Sequence, residues 1–123
     1  MDGPGKYTQQ SANELLPLVR ERLAELQGAY AVLQKLNAEV KRTSETNGGS
    51  GRGSDWKEAT EKLAVLLEWF NERDIIVRDV AQGLIDFPAI LNGEEVVLCW
   101  KAPEPAVEFW HYPDAGFAGR QPL

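Results

Sequence analysis

The sequence predicts an α+β fold: a long antiparallel helical hairpin packed on a small C-terminal antiparallel β-meander of three or four strands. Three observations carry that expectation. Apolar residues recur at helical spacing along two N-terminal segments, the period switches to alternation after Asn71, and Asn92-Gly93 supplies a hairpin turn inside the alternating region. The whole chain, residues 1–123, reads as one domain, with the hairpin over 8–73, the meander over 75–111 and a docked segment over 112–123.

In the first segment Val19, Leu23, Leu26, Tyr30, Leu33, Leu36 and Val40 step by four and three, which lines them along one helix face. Thr8 or Ser11 is placed to cap this helix, and Ser11 with Glu14 fits a capping box. Pro17 lies too deep for a first turn and predicts a missing backbone bond with a bend; Gly28 is a milder weakness. The stretch TSETNGGSGRGS, residues 43–54, reads as a flexible loop because glycine and serine leave the backbone too free to order unaided. A second helix follows with Trp56, Ala59, Leu63, Leu66 and Phe70 on one face and Ser54 or Asp55 as its cap. Two amphipathic helices joined by a flexible loop bury their stripes most simply as an antiparallel pair.

Ile75 to Val80 reads as a short strand ending at a turn near Gln82-Gly83. In LIDFPAILNGEEVVLCW the Asn92-Gly93 pair suits a two-residue type I′ turn, which demands positive φ at both positions. That turn sets the register: Ile90 opposite Glu95, Ala89 opposite Val96, Phe87 opposite Leu98, Asp86 opposite Cys99, Ile85 opposite Trp100. One face then collects Ile85, Phe87, Ala89, Val96, Leu98 and Trp100, a core surface, and the other Asp86, Pro88, Val97, Cys99 and Lys101. Pro88 has no amide hydrogen, so that side of its strand is expected to lack a ladder partner. After the KAPEP turn, placing Val107 and Phe109 on the core face keeps Glu108 out of it and turns Trp110 outward.

Composition narrows the class. The chain is ordinary for a globular protein, 43% hydrophobic and 26% charged, and its net charge of -6 opposes binding to nucleic acid or to an anionic membrane. A single cysteine, Cys99, excludes an internal disulfide, and the N-terminal residues lack a secretory pattern, so a cytoplasmic location is expected. GGSGRGS is not a phosphate-cradling loop, since no strand precedes it and no Gly-Lys-Ser/Thr completes it.

The chemistry-bearing residues gather near the C-terminal end. Asp86, Cys99 and Glu108 are expected side by side on the second sheet face, with the carboxylates about 9–10 Å apart, near the separation of inverting glycosidases. Outward charges on a half-exposed sheet account for them as well. Cys99 reads as a packing residue, because a neighbouring carboxylate opposes the thiolate a nucleophile needs. Asp86, His111 and Asp114 form a metal set of two oxygens and one nitrogen, set against a structural histidine closing the last strand. Arg120 needs a carboxylate to hold it, with Asp86 or Asp114 first in line and Gly116 and Gly119 permitting the turns.

Several of these residues fall in a pattern. Gly83, the run Leu84 to Pro88, Leu98 to Trp100, the pair Trp110-His111 and Gly116 to Arg120, together with the opening YTQQSANELLPLVRERL, resemble a bacterial family catalogued as domain of unknown function 2203. The likeness spans nearly the whole chain. It departs from the family at Asn71, where glycine is expected, and at Ala102-Pro103, where glycine often precedes Glu104. The resemblance brings no established activity. It implies that Asp86, Trp100, Trp110, His111 and Arg120 belong to the shared pattern while Glu108 does not, which removes most support from the paired carboxylates.

Two functional readings follow. The leading one is a non-enzymatic interaction or helper protein without cofactor, forming a homodimer or meeting a protein partner through its long helices. Its motive is length: the first stripe runs about 33 Å, beyond what the second helix covers. The alternative is a small-ligand or metal-binding protein, with an enzyme among its forms, whose site uses Asp86, Trp100, Trp110, His111, Asp114 and Arg120.

Overall fold

The computed structural model describes residues 6–43 and 53–123. Helices α1 (Gln9–Thr43) and α2 (Gly53–Glu72) are followed by strands β1 (Ile76–Asp79), β2 (Leu84–Leu91), β3 (Glu94–Lys101), β4 (Phe109–His111) and β5 (Gln121–Pro122), with one 3₁₀ turn at Phe117–Gly119. The strands form a single antiparallel sheet in sequence order. The expected three or four strands are thus five, because the C-terminal segment adds β5 to the edge of β4 and Leu123 donates its amide to the Glu108 carbonyl at 2.9 Å. The expected loop over 43–54 lies mostly outside the described residues; at its edges Thr43 and Ser54 are helical.

Thr8 caps α1. Its Oγ1 accepts the Ser11 amide at 3.0 Å while the Ser11 Oγ accepts the Thr8 amide at 2.9 Å, so the capping box is Thr8 with Ser11, and Glu14 instead accepts the Gln10 side chain. The helix runs on through Pro17. In α2, Ser54 and Asp55 fall within the first turn rather than at the cap, where the Asp55 carboxylate suits the positive end of the helix dipole. The helix closes at Asp74, whose φ of 57° takes the left-handed conformation usual for glycine.

The core is one cluster. Ala12, Leu16, Val19, Leu23 and Leu26 of α1 and Leu66 and Phe70 of α2 pack on Ile85, Phe87, Ala89, Val96, Leu98 and Trp100 of the sheet. This overturns the length argument for a partner on the N-terminal half of α1. What α2 leaves uncovered there, the sheet covers: Val19, Leu23 and Leu26 are almost fully buried. Gly83 sits where α1 meets the sheet, with φ of 70° and space so tight that a Cβ would lie 2.9 Å from the Ala102 Cβ.

The β2–β3 register is the one that the turn sets, with Asp86 opposite Cys99 and Ile85 opposite Trp100, and Asn92 and Gly93 have φ of 52° and 80°. Among the described residues Pro88 has no strand partner on its amide side; there its carbonyl accepts the Tyr7 amide at 2.7 Å. Strand β4 departs from expectation. Leu98 pairs with Trp110 and Cys99 with Phe109, so Trp110 shares the core face and Phe109 the second face. The reason is that Val107, though buried in the core, precedes the ladder: its amide goes to the Asn13 Oδ1 at 2.7 Å and its carbonyl takes the Gln9 and Asn13 side-chain amides. Alternation counted from Val107 therefore does not carry into the strand.

Candidate functional site

The second face of the sheet is not half-exposed at its centre. Asp86 and His111 are 2% exposed and Cys99 is 1% exposed. Asp86 and Cys99 are opposite one another on β2 and β3, and Val97 opposite His111 brings β4 alongside. One ligand atom from each of Asp86, Cys99 and His111 lies within 4.8 Å of the others. Two buried ionisable groups and a thiol are expensive to hold away from water unless each has partners.

The partners are specific. Asp86 Oδ2 accepts the Arg78 Nε at 2.7 Å, leaving Oδ1 at 3.4 Å from the His111 Nε2. Arg78 reaches it from β1 by plain alternation: Ile76 pairs with Asp86, so Arg78, two residues on, falls on the same second face, just before the register shifts ahead of Asp79. His111 Nδ1 lies 2.7 Å from the Tyr112 carbonyl. A donated Nδ1–H there turns the Nε2 lone pair toward Asp86 and Cys99, the tautomer that metal-bound histidines take. Burial pushes the Cys99 thiol up to about 12, with the Asp86 carboxylate adding to the rise and the Arg120 guanidinium opposing it. The free thiol is therefore protonated and not a nucleophile. A bound cation removes that proton outright.

Arg120 is held by Glu104, not by Asp86 or Asp114 as expected. Its Nη1 and Nη2 meet Glu104 Oε1 and Oε2 at 2.9 and 2.6 Å, a bidentate pair. The guanidinium lies over the rings of Phe109 and Phe117, 4.1 and 4.2 Å from their centroids. Glu104 also accepts the Lys101 amide. Burial opposes ionisation of Glu104, but the hydrogen bonds from Arg120 and Lys101 outweigh it and hold the carboxyl below its usual range.

The expected site residues divide as follows. Asp86 and His111 come together; Asp114 is exposed on the rim of the same cavity, and Cys99 stands at the third corner. Trp100 and Trp110 lie on the helix-facing side, where the Trp100 indole donates to the Glu104 carbonyl at 2.9 Å, so neither belongs with this cluster. Glu108 precedes β4 and is exposed, and the carboxylate pairing with Asp86 falls with it. Arg78 was missed. Its signal was weak, a lone arginine in a short strand: alternation puts it on the Asp86 face only once the pairing of Ile76 with Asp86 is known, and no two-residue turn fixes that register in the sequence.

A cavity of about 270 Å³ opens beside the cluster, lined by Asp86, Cys99 and His111 together with the apolar Leu84, Pro113 and Phe117. Fold and site together define an α+β protein with a helical hairpin on one sheet face and a buried Asp-Cys-His cluster on the other. The chain belongs to the family described as uncharacterized conserved protein (DUF2203), whose model matches residues 6–123. No match is found among the curated proteins or among the solved structures. Among the described residues, no helix is long and apolar enough to cross a membrane.

Proposed function

We propose that this protein binds a divalent metal ion of the zinc class through Asp86, Cys99 and His111. One observation carries the reading: three donor atoms converge within 4.8 Å, and the second polar atom of Asp86 and of His111 is already engaged elsewhere. That is how outer partners orient metal ligands. A thiolate, an imidazole and a carboxylate suit zinc or cobalt better than magnesium or calcium, which prefer oxygen alone. Three protein ligands leave a fourth position open, as in sites that bind or activate a further ligand.

Elemental analysis of untagged protein equilibrated with zinc tests it. One equivalent is expected, falling below about a tenth of that in Cys99→Ser and His111→Ala, with the wild type stabilised by about 2.7 kcal/mol at zinc a hundredfold above Kd. Wild-type protein that holds no zinc and shows no thermal shift overturns the reading.

A second reading, self-association through the helical hairpin, has support of its own. Val32 on α1 and Trp56, Val65 and Leu67 on α2 expose apolar surface. Beside Val32 runs a groove with Ala29, Leu36 and Ala59 as its floor and charged residues along its rim. Sedimentation velocity at rising concentration is expected to show a dimer that Trp56→Glu weakens; a strict monomer removes this reading.

A further inference from the structure

We infer that the cavity beside the cluster takes a small carboxylate with an apolar body, its oxygens meeting the open metal position and Arg78. The inference rests on the metal reading above and adds the chemistry of what the metal faces.

Position comes first. Asp86, Cys99 and His111 themselves form part of the cavity wall, so the coordination position they leave open faces this space. Size comes next. About 270 Å³ is near nine times the ~30 Å³ that a water molecule takes in the liquid, room for roughly ten non-hydrogen atoms. This is the small end of ligand cavities.

Charge then selects the head group. A divalent ion held by one carboxylate and one thiolate is neutral as a unit, and Arg120, which also acts on Cys99, is matched by Glu104, so the unmatched cation in the cavity lining is Arg78. Only its Nε is spent on Asp86; among the described residues its two terminal nitrogens make no hydrogen bond, and the side chain is 45% exposed. A guanidinium edge next to a Lewis acid fits the two oxygens of a carboxylate. Asp114, exposed on the rim, adds a negative charge that opposes dianions such as phosphate esters. Leu84, Pro113 and Phe117 in the same lining offer apolar contact to the rest of the molecule.

The test uses full-length protein loaded with cobalt(II), titrated with benzoate and separately with inorganic phosphate. Loading is expected to give a thiolate-to-cobalt charge-transfer band. Benzoate is then expected to shift the cobalt d–d bands saturably, phosphate to need at least tenfold more, and Arg78→Gln to weaken benzoate at least tenfold while keeping the charge-transfer band. Phe117→Ala is expected to weaken benzoate but leave acetate unchanged, because only the ring of benzoate reaches the apolar wall. No charge-transfer band overturns the metal reading and this inference with it. A normal band that benzoate does not move, or that phosphate moves equally well, overturns this inference alone.

Discussion

Asp86 and Phe87 are neighbours on β2 and are equally hidden from water, at 2% and 0% exposure, yet they face opposite sides of the sheet. Phe87 enters a cluster of aliphatic and aromatic side chains and meets the Tyr7 ring edge-on at 5.3 Å. Asp86 enters a space shared with Arg78, Cys99 and His111. On the helix-facing side burial is its own reward, at roughly 25 cal/mol for each Å² of apolar surface removed from water. On the other side burial costs free energy that the partners at best offset. A well-packed apolar patch of the same volume commonly does as well or better for stability, so the polar face is the one whose residues stability alone does not explain.

The largest expected effect belongs to the apolar side. Phe87→Ala should lower the free energy of unfolding by about 3–5 kcal/mol, measured by urea denaturation, because the ring leaves a cavity that the rigid sheet cannot close. If the two faces are as separate as their chemistry, the folded fraction of this variant still takes up one zinc. Loss of zinc from folded Phe87→Ala would show that the cluster's geometry is set from the core side, and the contrast between the faces would fail.

The two faces were unequally legible in the sequence, for physical reasons. The Asn92-Gly93 turn has one favoured geometry, and from it the facing of Asp86 and Cys99 follows by counting. That count already placed two of the cluster's three residues side by side. What it could not supply was burial. Pro113 and Phe117 line the cavity from the C-terminal segment, and a two-residue strand pairing is too short to read from periodicity. The parity of β4 was lost because Val107 bonds to Gln9 and Asn13, nearly a hundred positions away, instead of to a neighbouring strand. The partner of Arg120 was missed for a similar reason. Glu104 belongs to the KAPEP turn, which alternation does not place on either face, while the sheet count offered Asp86 and the C-terminal segment itself offered Asp114.

That partner gives the smaller and more discriminating effect, since the Arg120–Glu104 pair borders the polar face, where the guanidinium also acts on the Cys99 thiol. Its side chains are 19% and 20% exposed, between a surface pair and a buried one. Arg120→Ala is therefore expected to cost about 1–3 kcal/mol, with part of the loss coming from the Phe109 and Phe117 rings it leaves uncovered. The pH dependence separates the two contributions. The Glu104 carboxyl is held below its ordinary value of 4.5 in the folded protein, so the unfolded chain binds more protons as the pH falls below that value. The pair's stabilisation is thus fully present above about pH 4.5 and is lost as the pH falls through the lower folded value. Ring contacts carry no such dependence. Measured by urea denaturation from pH 7 down to pH 3, the gap between wild type and Arg120→Ala should be constant at first and narrow below about pH 4.5. A gap that stays constant to pH 3 would assign the stabilisation to the stacked rings, and a gap that widens would show that Arg120 does not hold the Glu104 carboxyl down.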